Sequence, residues 1–206
     1  MQKHSKIGAS GAKRWMSCPG SVRLCDGIAN RTSEYAAEGQ AAHALAENCL
    51  RTGTPVKNWQ GQSIEGFVVN SDMAEAVNVY LESCYSDFQQ GDQSEIEVRF
   101  ALSELHTGLF GTADRIRYRP STKTLRVTDY KHGAGVAVEV EENPQLMYYA
   151  LGAVFALKQP VWDIELEIVQ PRCPHPDGPV RLWKTNIVEL IEFADKLKRA
   201  ALATED

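Results

Sequence analysis

The stretch from Asp114 to Lys131 constrains the fold more than any other part of the chain. Two alternating runs, Asp114 to Arg119 and Thr124 to Lys131, flank Pro120-Ser121-Thr122-Lys123, a composition suited to a four-residue hairpin loop. That loop length sets a register. With Arg119 opposite Thr124, Tyr118 faces Leu125, Ile116 faces Val127 and Asp114 faces Asp129. Because side chains alternate along a strand, these residues share one face with Lys131, while Arg115, Arg117, Arg119 and Arg126 lie on the other.

The expected inner face is apolar except at one end, where two carboxylates meet across the strands at a Cβ separation of roughly 5 Å, with a lysine two residues along. Like charges at that distance repel, and a divalent metal between them is one way for a fold to keep the pair. A solvated acidic end to the hairpin satisfies the same spacing, so spacing alone leaves both readings open. The outer arginines read as an ordinary solvated face.

At 206 residues the chain suits one domain, 1–206, with a core large enough to stand alone. Nothing reads as a membrane span or a signal peptide, since the cationic N-terminus has no apolar stretch behind it; a cytoplasmic protein is expected. The five cysteines are odd in number and scattered, which suits reduced thiols. A net charge of −5 argues against a general nucleic-acid coat protein. It does not exclude a nuclease, because a metal site is itself acidic and the local distribution of charge decides. Locally, Lys3, Lys6, Lys13, Arg14, Arg23 and Arg31 make residues 1–32 a basic arm.

In chain order, Ser10 caps a short expected helix through Trp15, which Cys18-Pro19-Gly20-Ser21 breaks before another short turn. A clear helix is predicted from Ser33 to Leu50, with His43 and Glu47 four residues apart on one face. Residues 52–70 read as a loop, and Ser71 to Gln90 as a helix stopped by Gly91. Glu95 to Leu102 alternates as a half-buried strand, with Ile96, Val98 and Phe100 on one face. After the hairpin come a turn at His132-Gly133-Ala134-Gly135 and a short strand over Val136 to Val140. Asn143 and Pro144 open a helix to Lys158 that carries Gln145 and Tyr149 on one face. Strands over Trp162–Ile168 and Val180–Trp183 precede an amphipathic helix from Ile187 to Leu202. The order predicts an α/β or α+β core with a mixed sheet.

Several of these segments follow a familiar order. The helix with His43, then Gly111-Thr112-Ala113-Asp114, then Asp129-Tyr130-Lys131, then Gln145 to Tyr149, resembles the RecB-like branch of the PD-(D/E)XK nuclease superfamily, over roughly Glu38 to Ala150. The opening Arg14-Trp15-Met16-Ser17-Cys18-Pro19-Gly20-Ser21 resembles the start of phage-encoded members, which tend to continue beyond the position of Asp206. The resemblance implies a restriction-endonuclease-like core, a central mixed sheet flanked by helices, and a metal-dependent DNA nuclease.

By the same resemblance, Asp114 and Asp129 hold Mg²⁺ or Mn²⁺, joined by the backbone carbonyl of Tyr130 and by His43. Glu47 and Glu38 compete for the helix-borne position, because some relatives use a glutamate there. Lys131 reaches the scissile phosphate and orients the attacking water or offsets transition-state charge. Gln145 and Tyr149 touch the substrate backbone or brace Lys131, and Arg14 is a candidate DNA contact. Some relatives carry an iron–sulfur cluster, but Cys173 alone lies in the C-terminal half, so no cluster is expected in this chain.

The expected activity is phosphodiester hydrolysis, as an exonuclease in phage or bacterial recombination or repair, with DNA as partner and a homo-oligomer or recombination protein as a further one. Its rivals are a non-catalytic nucleic-acid-binding or assembly module on the same fold, and a hydrolase of another phosphate ester.

Overall fold

A computed structural model describes residues 5–28 and 33–205; Lys3 and Arg31 of the basic arm lie outside the described residues. Along the chain run α1 (Ala12–Ser17), α2 (Ser21–Leu24), α3 (Glu34–Thr52), a small hairpin of β1 (Ser63–Ile64) and β2 (Phe67–Val68), and α4 (Ser71–Tyr85). Then follow β3 (Gln93–Ala101), β4 (Phe110–Arg119), β5 (Thr124–Tyr130), α5 (Pro144–Leu157), β6 (Asp163–Val169), β7 (Val180–Asn186) and α6 (Ile187–Leu202).

The last five strands form one sheet in the order β3-β4-β5-β6-β7. β5 and β6 are parallel, joined by α5 as the crossover, and the other neighbours are antiparallel. The hairpin register is the expected one where Arg119 pairs with Thr124, Tyr118 with Leu125 and Ile116 with Val127, but the pairing ends at Arg115 with Thr128, one step short of the expected Asp114–Asp129 pair. One face of the sheet packs Ile116, Leu125, Val127, Ile164 and Leu166 against α1, α5 and α6, through Trp15, Leu146, Tyr148 and Leu190. The opposite face packs α3 and α4, through Leu45, Met73, Val77 and Tyr80, over Tyr130 and Val169. Each such large apolar side chain contributes about 1.5–3 kcal/mol on burial. The result is a mixed α/β fold, a five-stranded mixed sheet flanked by helices, consistent with a restriction-endonuclease-like core.

Caps place the two helices that matter most below. Ser33 Oγ accepts the Ala36 N–H at the start of α3. At α5, Asn143 Oδ1 accepts from Gln145 and Leu146, and Pro144 occupies the first turn, where its missing N–H costs nothing. Helix α5 lies so close to β3 that a Cβ at Gly152 would sit 2.3 Å from the Phe100 ring.

Several expectations are corrected. The first helix starts at Ala12, with Ser10 in a 3-10 turn over Ala9–Gly11. Residues 52–70 contain the β1–β2 hairpin and a 3-10 turn, Val56–Trp59. Helix α4 ends at Tyr85 rather than Gln90, so Gly91 is not its stop; Asp87 and Asp92 beyond it are bonded to arginines of the sheet. Val136 to Val140 is not a strand, because side chains occupy its backbone groups. Gln170 bonds Val136 O and Val138 N, and Arg181 bonds Val138 O.

The arginine face of the hairpin is the largest correction. Arg115, Arg117 and Arg126 are buried, not solvated. Arg117 meets Asp87 at 2.6 Å, Arg119 holds Asp92 with two nitrogens, and Arg126 meets Glu165 at 2.6 Å and Asp87 at 3.0 Å. Glu167, itself buried, lies 3.6 Å from Arg126 and accepts from Ser83 and Thr128 hydroxyls. Alternation told which residues share a face, but not that the end of α4 would cover it.

Candidate active site

The site is built where the sheet's alternation slips. In β3, Val98 and Phe100 join the core under α5, whereas Ile96 points into a small recess beside His43 and Tyr80 of α3 and α4. The three expected on one face are therefore divided. The reason is Glu97, whose backbone is left-handed at φ 52° and inverts the pleat between them. The pairs on either side, Ile96 with Arg115 and Val98 with Ala113, place Glu97 beside Asp114.

Asp114 lies within β4, one residue beyond the last pair with β5. Its Oδ2 accepts the backbone N–H of Tyr130 at 2.8 Å and lies 3.5 Å from His43 Nδ1. The last hairpin pair is Arg115 with Thr128, so beyond it Asp114's carboxylate takes up a backbone donor of the facing strand. His43 tilts against the Tyr130 ring at 5.2 Å between centroids, and Tyr80 flanks the same ring.

Asp129 is buried at the end of β5, and its Oδ2 lies 2.9 Å from Lys131 Nζ. Lys131, one residue past the end of β5, is held by its own N–H on Val169 O. Gln145 in the first turn of α5 ties the group together. Its Oε1 accepts from Lys131 Nζ at 3.0 Å, while its Nε2 donates to Asp129 Oδ1 at 3.2 Å and to the Tyr149 hydroxyl at 2.9 Å. One amide thus uses its acceptor and both donor hydrogens on the site.

The electrostatics follow from burial and proximity. Burial pushes the Asp129 carboxyl above its ordinary range; Lys131 opposes the rise and the Asp114 charge adds to it. Burial works against the Lys131 ammonium, but Asp129 and then Asp114 outweigh it and keep the lysine charged. Burial and the nearby acids hold the Tyr149 phenol neutral. Glu97 rises to about 6, first from burial and then from the charges of Asp114 and Glu47.

Of the expected site residues, the structure brings His43 to Asp114, and Asp129, Gln145 and Tyr149 into one bonded group with Lys131. Tyr130 enters through its N–H and its ring. The rival ligands are otherwise engaged: Glu47 pairs with Arg51 at 2.7 Å, and Glu38 with Arg172 at 2.9 Å, beside buried His132. Arg14 is not brought to the site; its Nη1 donates to Ser21 O and reaches Cys25 Sγ within the N-terminal arm. Glu97 was missed. Its signal was register, since a glutamate on β3 faces the first acid of the hairpin once the three strands are aligned.

The donor set suits a hard divalent cation, with carboxylates foremost and an imidazole beside them. Among the described residues, no three His, Cys, Asp or Glu side chains are already gathered closely enough to hold an ion. Asp129 Oδ2 is enclosed and is met by the Lys131 ammonium alone at 2.9 Å, which leaves it lone pairs to offer. A ligand oxygen left in that condition fits a cation. All five cysteines are free, and among the described residues no helix is long and apolar enough to cross a membrane.

A family model described as "Protein of unknown function (DUF2800)" matches residues 4–206. A solved structure titled "Crystal structure of SSO0001" is similar at a TM-score of 0.32 and 11% identity, over 90% of this chain and 84% of that one, a likeness too slight to bear on function.

Proposed function

The chain belongs to the DUF2800 family, and for it we propose a metal-dependent deoxyribonuclease of the PD-(D/E)XK superfamily, RecB-like branch, that hydrolyses phosphodiester bonds. The observation that carries this reading is the convergence of Asp114, Asp129 and Lys131 with one glutamine bonded to both members of the Asp129–Lys131 pair.

Asp114, Asp129 and His43 would hold Mg²⁺ or Mn²⁺, which when bound supplies Lewis acidity at the phosphate and a more acidic water. The chain's own groups do the rest. Lys131, kept charged by its neighbours, offsets negative charge as it grows on the phosphate oxygens. Gln145 fixes the lysine's position against Asp129, and Tyr149 fixes Gln145. Because these groups are tethered before substrate arrives, little reorganisation is left for the transition state. Action on DNA ends in recombination or repair, in the cytoplasm of a bacterial or phage-infected cell, is the finer form of the proposal.

The test is digestion of end-labelled linear DNA and closed circular DNA with Mg²⁺ or Mn²⁺. Linear DNA is expected to be degraded and the closed circle spared. Asp129→Ala and Lys131→Ala are expected to stay folded and lose cleavage by about 10³-fold or more. Unchanged cleavage in either variant overturns the assignment. A wild-type protein that shifts DNA without cutting it is a binding module, and one that acts only on nucleotides or small esters is a different phosphohydrolase.

A further inference from the structure

We infer that Glu97 is a further ligand of the divalent-cation site, acting with Asp114 and His43 from the α3 side. The inference rests on the metal-dependent reading above and adds a residue that the Asp, Asp, Lys pattern does not contain.

Three observations carry it. First, Glu97 occupies a left-handed backbone conformation in the middle of a strand, at φ 52°. Glycine adopts that region freely and glutamate does so at a cost in strain, so the position is held against local preference. Second, the conformation has a consequence for direction. It brings the half-buried Glu97 side chain into the recess lined by His43, Glu47 and Asp114, where no hydrogen bond or ion pair with a described residue satisfies its carboxylate. Of its neighbours there, Glu47 is already paired with Arg51, whereas Glu97 has no ion pair with a described residue. Third, register sets Glu97 directly opposite Asp114, between the pairs Ile96–Arg115 and Val98–Ala113. Asp114's own Oδ2 is fixed by the Tyr130 N–H and lies 3.5 Å from His43. A cation held between Asp114 and Glu97 answers the charge on the α3 side, where among the described residues no arginine or lysine pairs with either acid.

A purely structural account makes a different prediction. If Glu97 serves only to kink the strand, glycine performs the same task with less strain and nothing else changes.

The experiment titrates Mn²⁺ alone into wild type, Glu97→Gln and Glu97→Gly, reading affinity by calorimetry or by the loss of free-ion electron paramagnetic resonance signal, with melting temperature measured on the metal-free proteins. Glu97→Gln is expected to weaken Mn²⁺ binding about 10-fold or more while the fold is kept. Glu97→Gly is expected to lose Mn²⁺ affinity to the same degree yet melt no lower than wild type, because glycine is at ease at this φ. Wild-type Mn²⁺ affinity in both variants overturns the inference, as does a wild type that binds no Mn²⁺. The two readings fail separately. Affinity lost in Glu97→Gln, with DNA uncut by the wild type, upholds the ligand and removes the nuclease; unchanged affinity, with DNA cut, does the reverse.

Discussion

The hairpin of β4 and β5 carries a charged cluster on each side, and the two are neutralised in opposite ways. Around the end of α4, Arg117, Arg119, Arg126 and Lys184 meet Asp87, Asp92, Glu165 and Glu167, four cations against four acids. Burial would raise Asp87 and Glu165, but their bonds to Arg117 and Arg126 more than reverse it, and Arg119 holds Asp92 low. At the other end of the hairpin stand Asp114, Asp129 and Glu97, of which the lysine pairs with Asp129 alone, and Asp129 and Glu97 are pushed up rather than down. The same residue types are thus charge-complete in one place and charge-deficient in the other. A complete cluster has no affinity left for a ligand and can only hold the sheet to its helices. A deficient one stores unfavourable energy that a bound cation releases.

The largest effect expected from this contrast is on the complete side. Arg126→Met leaves Glu165, Glu167 and Asp87 without their common cation, and removing one partner of a buried ion cluster costs about 3–5 kcal/mol. Urea unfolding measures the loss. Whatever fraction stays folded is expected to bind Mn²⁺ as the wild type does, because none of these groups touches the acid end. A variant of wild-type stability, or one that loses Mn²⁺ affinity while folded, would remove the distinction between the clusters.

The next effect is a difference in the sign of pH dependence. The acids held low by arginine, Asp87, Asp92 and Glu165, contribute stability that is present above their unfolded pKa values and is lost as the pH falls below about 4. Glu97 does the opposite. Its pKa of about 6 lies above its ordinary 4.5, so the folded chain keeps a proton that the unfolded chain releases, and stability falls as the pH rises from 4.5 to 6. The shift corresponds to at most about 2 kcal/mol, less after screening by the solvent that reaches this half-buried side chain. Melting temperatures across that window are expected to decline for wild type without metal. The decline should shrink in Glu97→Gln and on adding Mn²⁺, which favours the ionised carboxylate. A flat profile for metal-free wild type would mean that the acid end carries no such penalty.

How much of this could be read from the chain itself divides along the same line. Hairpin register, the facing of Asp114 toward β5, the capped start of α5 at Asn143 and the helical site of His43 all follow from local rules, namely loop length, period and cap chemistry. The burial of Arg115, Arg117 and Arg126 does not, because alternation assigns a face without saying what will cover it; that depends on Asp87 and Asp92, more than twenty residues upstream. Register puts Glu97 opposite Asp114, but the direction of its side chain was illegible for a related reason. A strand pattern presumes an even pleat, and a left-handed glutamate breaks the pleat at the very residue where the site needs a third acid. The early end of α4 belongs with these, since the residues after it gain more from the arginines than from another helical turn.

The smallest effect separates the two helix-borne candidates for the cation. Glu47 and His43 share a face of α3, and both line the recess with Asp114 and Glu97. Only Glu47 has a cationic partner on its own helix, Arg51 at 2.7 Å, four residues on and exposed to solvent. Such a pair is worth about 0.3–0.5 kcal/mol. Glu47→Ala is therefore expected to lower stability by no more than that and to leave DNA cleavage within about twofold, since a paired surface acid has little charge to offer a metal. His43→Ala removes the imidazole 3.5 Å from Asp114 Oδ2 and is expected to cost about 10-fold or more in metal affinity, at similar stability. If the two variants instead exchange roles, with Glu47→Ala losing the metal and His43→Ala retaining it, then Arg51 must give up its glutamate when the cation binds. The deficient cluster would then extend one turn further along α3, to the half-buried acid that Arg51 now holds.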